Sequence, residues 1–175
     1  MDEDRIYQDY MYNIDWDLLD EYLDKAEQGD AFSMFILARG YGAGIYSDTS
    51  DEEYLYWLQK FLNTKDVKRI IQDLEDLDSD SDEMKAIEVI DESDPLDIYD
   101  EYLLRDMIIE AGVELGLYYR GSGDLEELVI AQEALSDAYT VSRYGEVEYG
   151  DEYINILETL SEIYETISSK NGGAG

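Results

Sequence analysis

The chain has 175 residues, of which 45 are Asp or Glu and 12 are Lys or Arg, for a formal charge of −33. It contains no cysteine and no histidine, which excludes disulfides, thiolate chemistry and the commonest general base and transition-metal ligand. Its 45% hydrophobic and 13% aromatic content is that of a folded chain, so charge without low hydrophobicity does not indicate disorder. One ordinary domain over 1–170 is expected, with a flexible tail at 171–175.

Residues 1–14 form an acidic, Tyr-rich lead-in. Their sign is opposite to the basic start of a signal peptide, and no apolar run is long enough to span a bilayer. A cytoplasmic protein is therefore expected. Membrane surfaces and nucleic acid, both anionic, are poor direct partners. A first helix is expected from Asp15 or Asp17, with Trp16, Leu19, Tyr22, Leu23 and Ala26 on one face and Gly29 as its stop. A second helix carries Ala31, Met34, Phe35, Ala38 and Tyr41 at helical spacing. Glycines 40, 42 and 44 are expected to break it. Ser50 with Glu53 has the form of a capping box for a third helix bearing Tyr54, Leu55, Trp57, Leu58, Phe61 and Leu62.

Thr64 reads as the N-cap of a helix with Val67, Ile70, Ile71, Leu74 and Leu77 in phase. A carboxylate-rich turn follows, then a helix from about residue 80 burying Met84, Ile87 and Ile90. Asp94-Pro95 is an N-cap with proline at the first helical position, opening a run over 95–120 with a break expected near Gly112. Asp124 and Glu127 cap another helix, with Leu128, Ala131, Leu135 and Ala138 on one face. Residues 141–150 read as a loop. The last helix carries Tyr153, Ile156, Leu157, Leu160, Ile163, Tyr164 and Ile167 nearly as heptads, and NGGAG ends the chain. The sum is an all-α chain of about eight helices, arranged as a short solenoid of antiparallel helix pairs.

Two stretches share an order of residues. In 29–62 it runs Ala31, Leu37-Ala38, Tyr41, Gly42/Gly44, then an amphipathic helix; in 111–138 it runs Ala111, Leu115-Gly116, Tyr119, Gly121/Gly123, then another. This order resembles the Sel-one-like repeat, a relative of the tetratricopeptide repeat. The matching positions are Ala31, Leu37, Tyr41, Gly44, Asp48, Trp57 and Lys60 in the first copy. In the second they are Ala111, Leu115, Gly116, Tyr119 and Gly123, the last a residue out of register. Ala38 stands where the family has glycine, and Phe61-Leu62 where it has an alanine pair. The resemblance implies helical hairpins and an adaptor that holds a protein partner in a groove.

Defined chemistry is sparse. Asp78, Asp80 and Asp82 alternate as in an EF-hand loop, but its sixth and twelfth positions would be Glu83 and Val89 rather than Gly and Glu, so no calcium site is expected. Gly40-Tyr41-Gly42-Ala43-Gly44 lacks the Lys-Ser/Thr of a phosphate-binding loop and follows a helix rather than a strand. Tyr41 and Trp57 read as core between helices before they read as a pocket lining. Carboxylate pairs at any spacing arise by chance among 45 acids, so none marks a catalytic dyad. No enzyme activity and no cofactor are implied.

The charge itself asks for a functional account, because self-repulsion of this size destabilises a compact state. Duplex DNA carries one charge per ~1.7 Å, so 33 negatives match roughly 56 Å, or about 16 base pairs. Carboxylates in place of phosphates suit an Arg- and Lys-lined channel, and surface tyrosines stack on guanidinium groups. In charge, Asp/Glu–Tyr bias and size the chain resembles phage-encoded DNA mimics that block restriction enzymes or CRISPR effectors. That resemblance implies a DNA-binding protein, such as a host defence nuclease, as partner. The expected contact residues are Asp73, Glu75, Asp76, Asp78, Asp80, Asp82, Glu83, Asp91, Glu92, Asp94, Asp97, Asp100 and Glu101. Monomer and dimer are both left open. An acidic halophile is the other account of the charge, but a composition rich in Ile and Tyr and modest in Ala speaks against it.

Overall fold

The computed structural model describes residues 18–42, 51–76, 98–144 and 150–172. Every regular element among them is a helix: α1 (Leu19–Glu27), α2 (Ala31–Gly42), α3 (Asp51–Leu62), α4 (Lys65–Glu75), α5 (Ile98–Tyr119), α6 (Leu125–Tyr144) and α7 (Gly150–Gly172). The all-α expectation holds, with seven helices and no strand among the described residues. Packing groups the chain into two compact units, Met1–Lys68 and Arg69–Gly175, and the boundary falls inside α4. The expected helix near residue 80, its Met84, Ile87 and Ile90, the Ser50 cap and the Asp94-Pro95 start all lie outside the described residues.

In the first unit α2 packs against both α1 and α3. The turn between α1 and α2 is closed by two backbone bonds, Gly29 N–H to Ala26 O at 3.0 Å and Asp30 N–H to Lys25 O at 3.0 Å. This is the paired arrangement that ends a helix on a left-handed residue, and Gly29 has φ +98°. Asp30 at once starts α2: its Oδ2 accepts from the Ser33 N–H at 3.1 Å and from the Ser33 hydroxyl. Stop and start within two residues fold α2 back along α1.

α2 is buried around nearly its whole circumference, from Ala31 through Ala38 and again at Gly40. The sequence shows one apolar face; the second neighbour, α3, covers the rest. Burying side chains such as Phe35, Ile36 and Leu37 stabilises by about 1.5–3 kcal/mol each. That exceeds the roughly 1 kcal/mol disfavouring an interior helical glycine, so the helix runs through Gly40 instead of breaking there. A Cβ at Gly42 would stand 2.7 Å from the ring of Tyr54 on α3. On α3, Leu55, Trp57, Leu58, Phe61 and Leu62 are buried as their spacing predicts, and Phe61 meets Phe35 edge-to-face at 5.3 Å.

Thr64 joins α3 to α4. Its hydroxyl donates to Phe61 O at 2.8 Å and accepts from the Val67 N–H at 3.4 Å. Val67, Ile70, Ile71 and Leu74 of α4 are all buried.

In the second unit α6 packs between α5 and α7. α5 continues through Gly112, where a break was expected. The reason is closeness to α6: a Cβ on Gly112 would lie 2.3 Å from Ala134 O, and one on Gly116 would lie 2.3 Å from Leu135 Cγ. These glycines serve packing, not punctuation. Asp124 caps α6 as expected, its Oδ1 accepting from the Glu126 N–H at 2.8 Å, while the Ser122 hydroxyl bonds the Glu127 carboxylate. α6 also extends to Tyr144, so residues 141–144, read above as loop, are helical; Val141 and Ser142 are buried and hold the extra turn in the core. On α7, Ile156, Leu160 and Ile163 face inward, whereas Leu157 and Tyr164 are exposed. The helix reaches Gly172, past the expected start of the tail.

Candidate functional site

The acidic run 73–101 is described at its two ends. At the first end, Asp73, Glu75 and Asp76 sit at the C-terminal turn of α4. Asp73 lies 3.5 Å from Arg69 Nη1, and Asp76 accepts from Gln72 Nε2 at 2.9 Å. Glu75 and Asp76 are exposed and Asp73 is partly so. The carbonyl end of a helix carries partial negative charge and favours cations, yet the last turn of α4 has no basic residue. Two other helices follow the dipole: Asp51, Glu52 and Glu53 open α3 and Lys60 closes it, and Glu126 and Glu127 open α6 and Arg143 closes it, whereas α5, like α4, has no basic residue in its last turn. Arg69 preceding Asp73 by four is also the weaker order for a helical ion pair, unlike Glu21–Lys25 on α1.

At the other end the expectation needs correcting. Glu101 is 1% exposed and cannot present its carboxylate to a partner. Its Oε1 lies 3.4 Å from Nη2 of Arg105, itself 2% exposed, and the Arg105 guanidinium lies over the Tyr102 ring at 5.7 Å. A buried charge requires a partner of opposite sign, and the i,i+4 spacing on α5 supplies it. The side chain of Asp100 and the whole of Asp78, Asp80, Asp82, Glu83, Asp91, Glu92, Asp94 and Asp97 lie outside the described residues.

The sequence reading passed over acids that the helices align. On α7, Glu158, Glu162 and Glu165 are exposed, one turn apart and out of phase with Ile156, Leu160 and Ile163. Asp106, Glu110 and Glu114 follow one another at i,i+4 along α5; Asp106 and Glu110 are half-buried and Glu114 is exposed. At a rise of ~1.5 Å per residue, i,i+4 acids stand about 6 Å apart along the axis. Their signal in the sequence is carboxylates that keep helical period against an apolar stripe, weaker than the denser run at 73–101.

Chemistry of other kinds finds little support among the described residues. No group of three or more acids there could hold a metal ion. Trp57 is a core residue, 5% exposed, and its indole N–H has no hydrogen-bond partner among the described residues. Tyr41 is half-buried; burial first, and the Glu53 carboxylate second, raise its hydroxyl pKa above the usual value. A groove of about 780 Å³ lies between α6 and α7, lined in part by Tyr139, Leu157 and Tyr164. None of the described helices is long and apolar enough to cross a membrane. Comparisons with family models, curated proteins and solved structures give no match.

Proposed function

We propose that this chain is a non-enzymatic inhibitor whose exposed carboxylates take the place of DNA phosphates in the nucleic-acid site of a host defence nuclease, a restriction enzyme or a CRISPR effector. The observation that carries this reading is a charge of −33 together with acids set where the helix does not favour them, at the end of α4. Charge retained against local electrostatics is explained by an external cationic surface that it fits. Lines of acids about 6 Å apart on helices suit Lys and Arg side chains that otherwise track phosphates. On this reading the helix pairs stack as a short solenoid of about eight helices with an acidic surface, acting in the cytoplasm of the phage's host. The contact set is the acidic run from Asp73 to Asp100, without Glu101, joined by the lines on α5 and α7.

A pull-down from bacterial lysate with tagged protein, eluted by a salt gradient and challenged with duplex DNA, tests it. Nucleic-acid-binding nucleases released by salt and displaced by DNA are the expected result. Retention of one partner through both challenges would overturn the mimic reading. The groove between α6 and α7 favours a second reading, an adaptor of the Sel-one-like kind that binds one protein partner; it predicts modest salt dependence and sensitivity to exposed aromatics in the groove.

A further inference from the structure

The groove between α6 and α7 differs in chemistry from the rest of this chain. One wall is a single stripe of α7, Leu157, Ser161, Tyr164 and Ser168, spaced i, i+4, i+7 and i+11; Ser136 and Tyr139 of α6 form the other. In a protein where about one residue in four is acidic, Glu165 is the one carboxylate of the lining. Leu157 is 41% and Tyr164 48% exposed, although α7 has a complete inward face without them. Large apolar side chains in line on an otherwise charged helix leave an anchoring strip unused by the fold. From residue 157 to 168 the strip runs about 16 Å, three helical turns.

Its charge setting selects the occupant. Glu158, Glu162 and Glu165 are exposed on the same helix, against Arg143 at the groove's α6 side, whose Nη1 lies 3.3 Å from the Tyr139 hydroxyl. A second copy of a chain carrying −33 is repelled. Ser136, Ser161 and Ser168 line the groove with small polar side chains. We propose that this groove docks an amphipathic helix of another protein, with apolar anchors on one face and Lys or Arg along the flank toward α7. This inference rests on the adaptor reading of the groove and shares Glu158, Glu162 and Glu165 with the phosphate-mimicking set; replacing Leu157 and Tyr164 leaves the net charge unchanged and so tests the groove apart from DNA mimicry.

The probe is a synthetic helical peptide with leucines at i, i+3, i+4 and i+7 and lysines on its flanks, titrated onto the full chain by fluorescence anisotropy. The expected result is saturable binding that weakens at least tenfold for L157S/Y164S, while far-UV circular dichroism stays as in the parent. A peptide with the same lysines but glutamines for leucines should bind both proteins alike and more weakly. Should the double variant not fold, Ser161→Arg, which sets a cation in the groove, is expected to give the same loss. Equal binding of the leucine peptide to parent and variants, or no binding at all, overturns the proposal. Equal binding of a glutamate-flanked peptide overturns the charge assignment. A parent dimer in sedimentation that L157S/Y164S dissolves makes a second copy the occupant instead.

Discussion

The helix pairs α2–α3 and α5–α6 share an order of residues yet pack in opposite ways. In the first, Ala38 follows Leu37 and the space between helices is filled by rings, Phe35 on Phe61 at 5.3 Å. In the second, Gly116 follows Leu115, and with Gly112 it brings α5 so near α6 that no Cβ fits at either position. The first pair is joined by packed rings, while the second adds close backbone approach at Gly112 to a buried aliphatic core. The interiors differ in charge as well. Among the described residues the buried set of the first unit holds no ionised group, while the second encloses Glu101 and Arg105. A shared motif thus fixes the hairpin and leaves the packing to what surrounds it.

The largest effects should come from removing what each pair depends on. Phe35→Ala is expected to cost about 3–5 kcal/mol, read as the midpoint shift in urea unfolding. A loss below about 1 kcal/mol would show that the ring pair does not hold α2 to α3. Arg105→Met should cost a similar ~3–5 kcal/mol, since it removes the cation paired with the buried Glu101 carboxylate. Adding Glu101→Leu to Arg105→Met should recover most of that loss, because a well-packed apolar pair replaces a buried ion pair at little net cost. Failure of the second change to rescue would mean that the loss comes from the packing of Arg105 and not from the charge on Glu101.

Glycine substitutions sharpen the contrast on a smaller scale. Gly112→Ala directs its Cβ at the Ala134 carbonyl, which is backbone and cannot swing aside, so a loss of about 3 kcal/mol is expected. Gly116→Ala meets only the Leu135 side chain, and the gain in helix propensity offsets part of the strain, leaving about 1 kcal/mol. Thermal melts of the two variants should rank in that order; the reverse order would contradict the close approach at Gly112. Smallest is Tyr41. Its raised pKa means that the folded state holds the hydroxyl proton more tightly than the unfolded chain does. That contribution is fully present below pH ~10 and is lost as pH rises through the folded pKa. Tyr41→Phe should therefore flatten the alkaline decline in stability, measured by urea unfolding across that range.

Much of the architecture was legible in local patterns. Gly29 stopping α1, Thr64 and Asp124 capping, and the apolar phases of α3, α4 and α6 follow from rules that act within a turn or two of chain. The candidate interface was legible only as charge: Glu75 and Asp76 are exposed as expected, but Glu101 in the same acidic run is buried. Nothing in its immediate neighbours distinguishes it except Arg105 one turn on.

Sequence by itself determined the helical class, the absence of thiol and imidazole chemistry, and the net charge, because these depend on residue type and period alone. Tertiary structure decided the rest. It set the burial of α2 on all sides, the passage of helices through Gly40 and Gly112, the helical continuation to Tyr144, and the outward turn of Leu157 and Tyr164 from a heptad-like run. Each depends on which second helix lies alongside, since a neighbour's burial and close approach outweigh a local preference of about 1 kcal/mol.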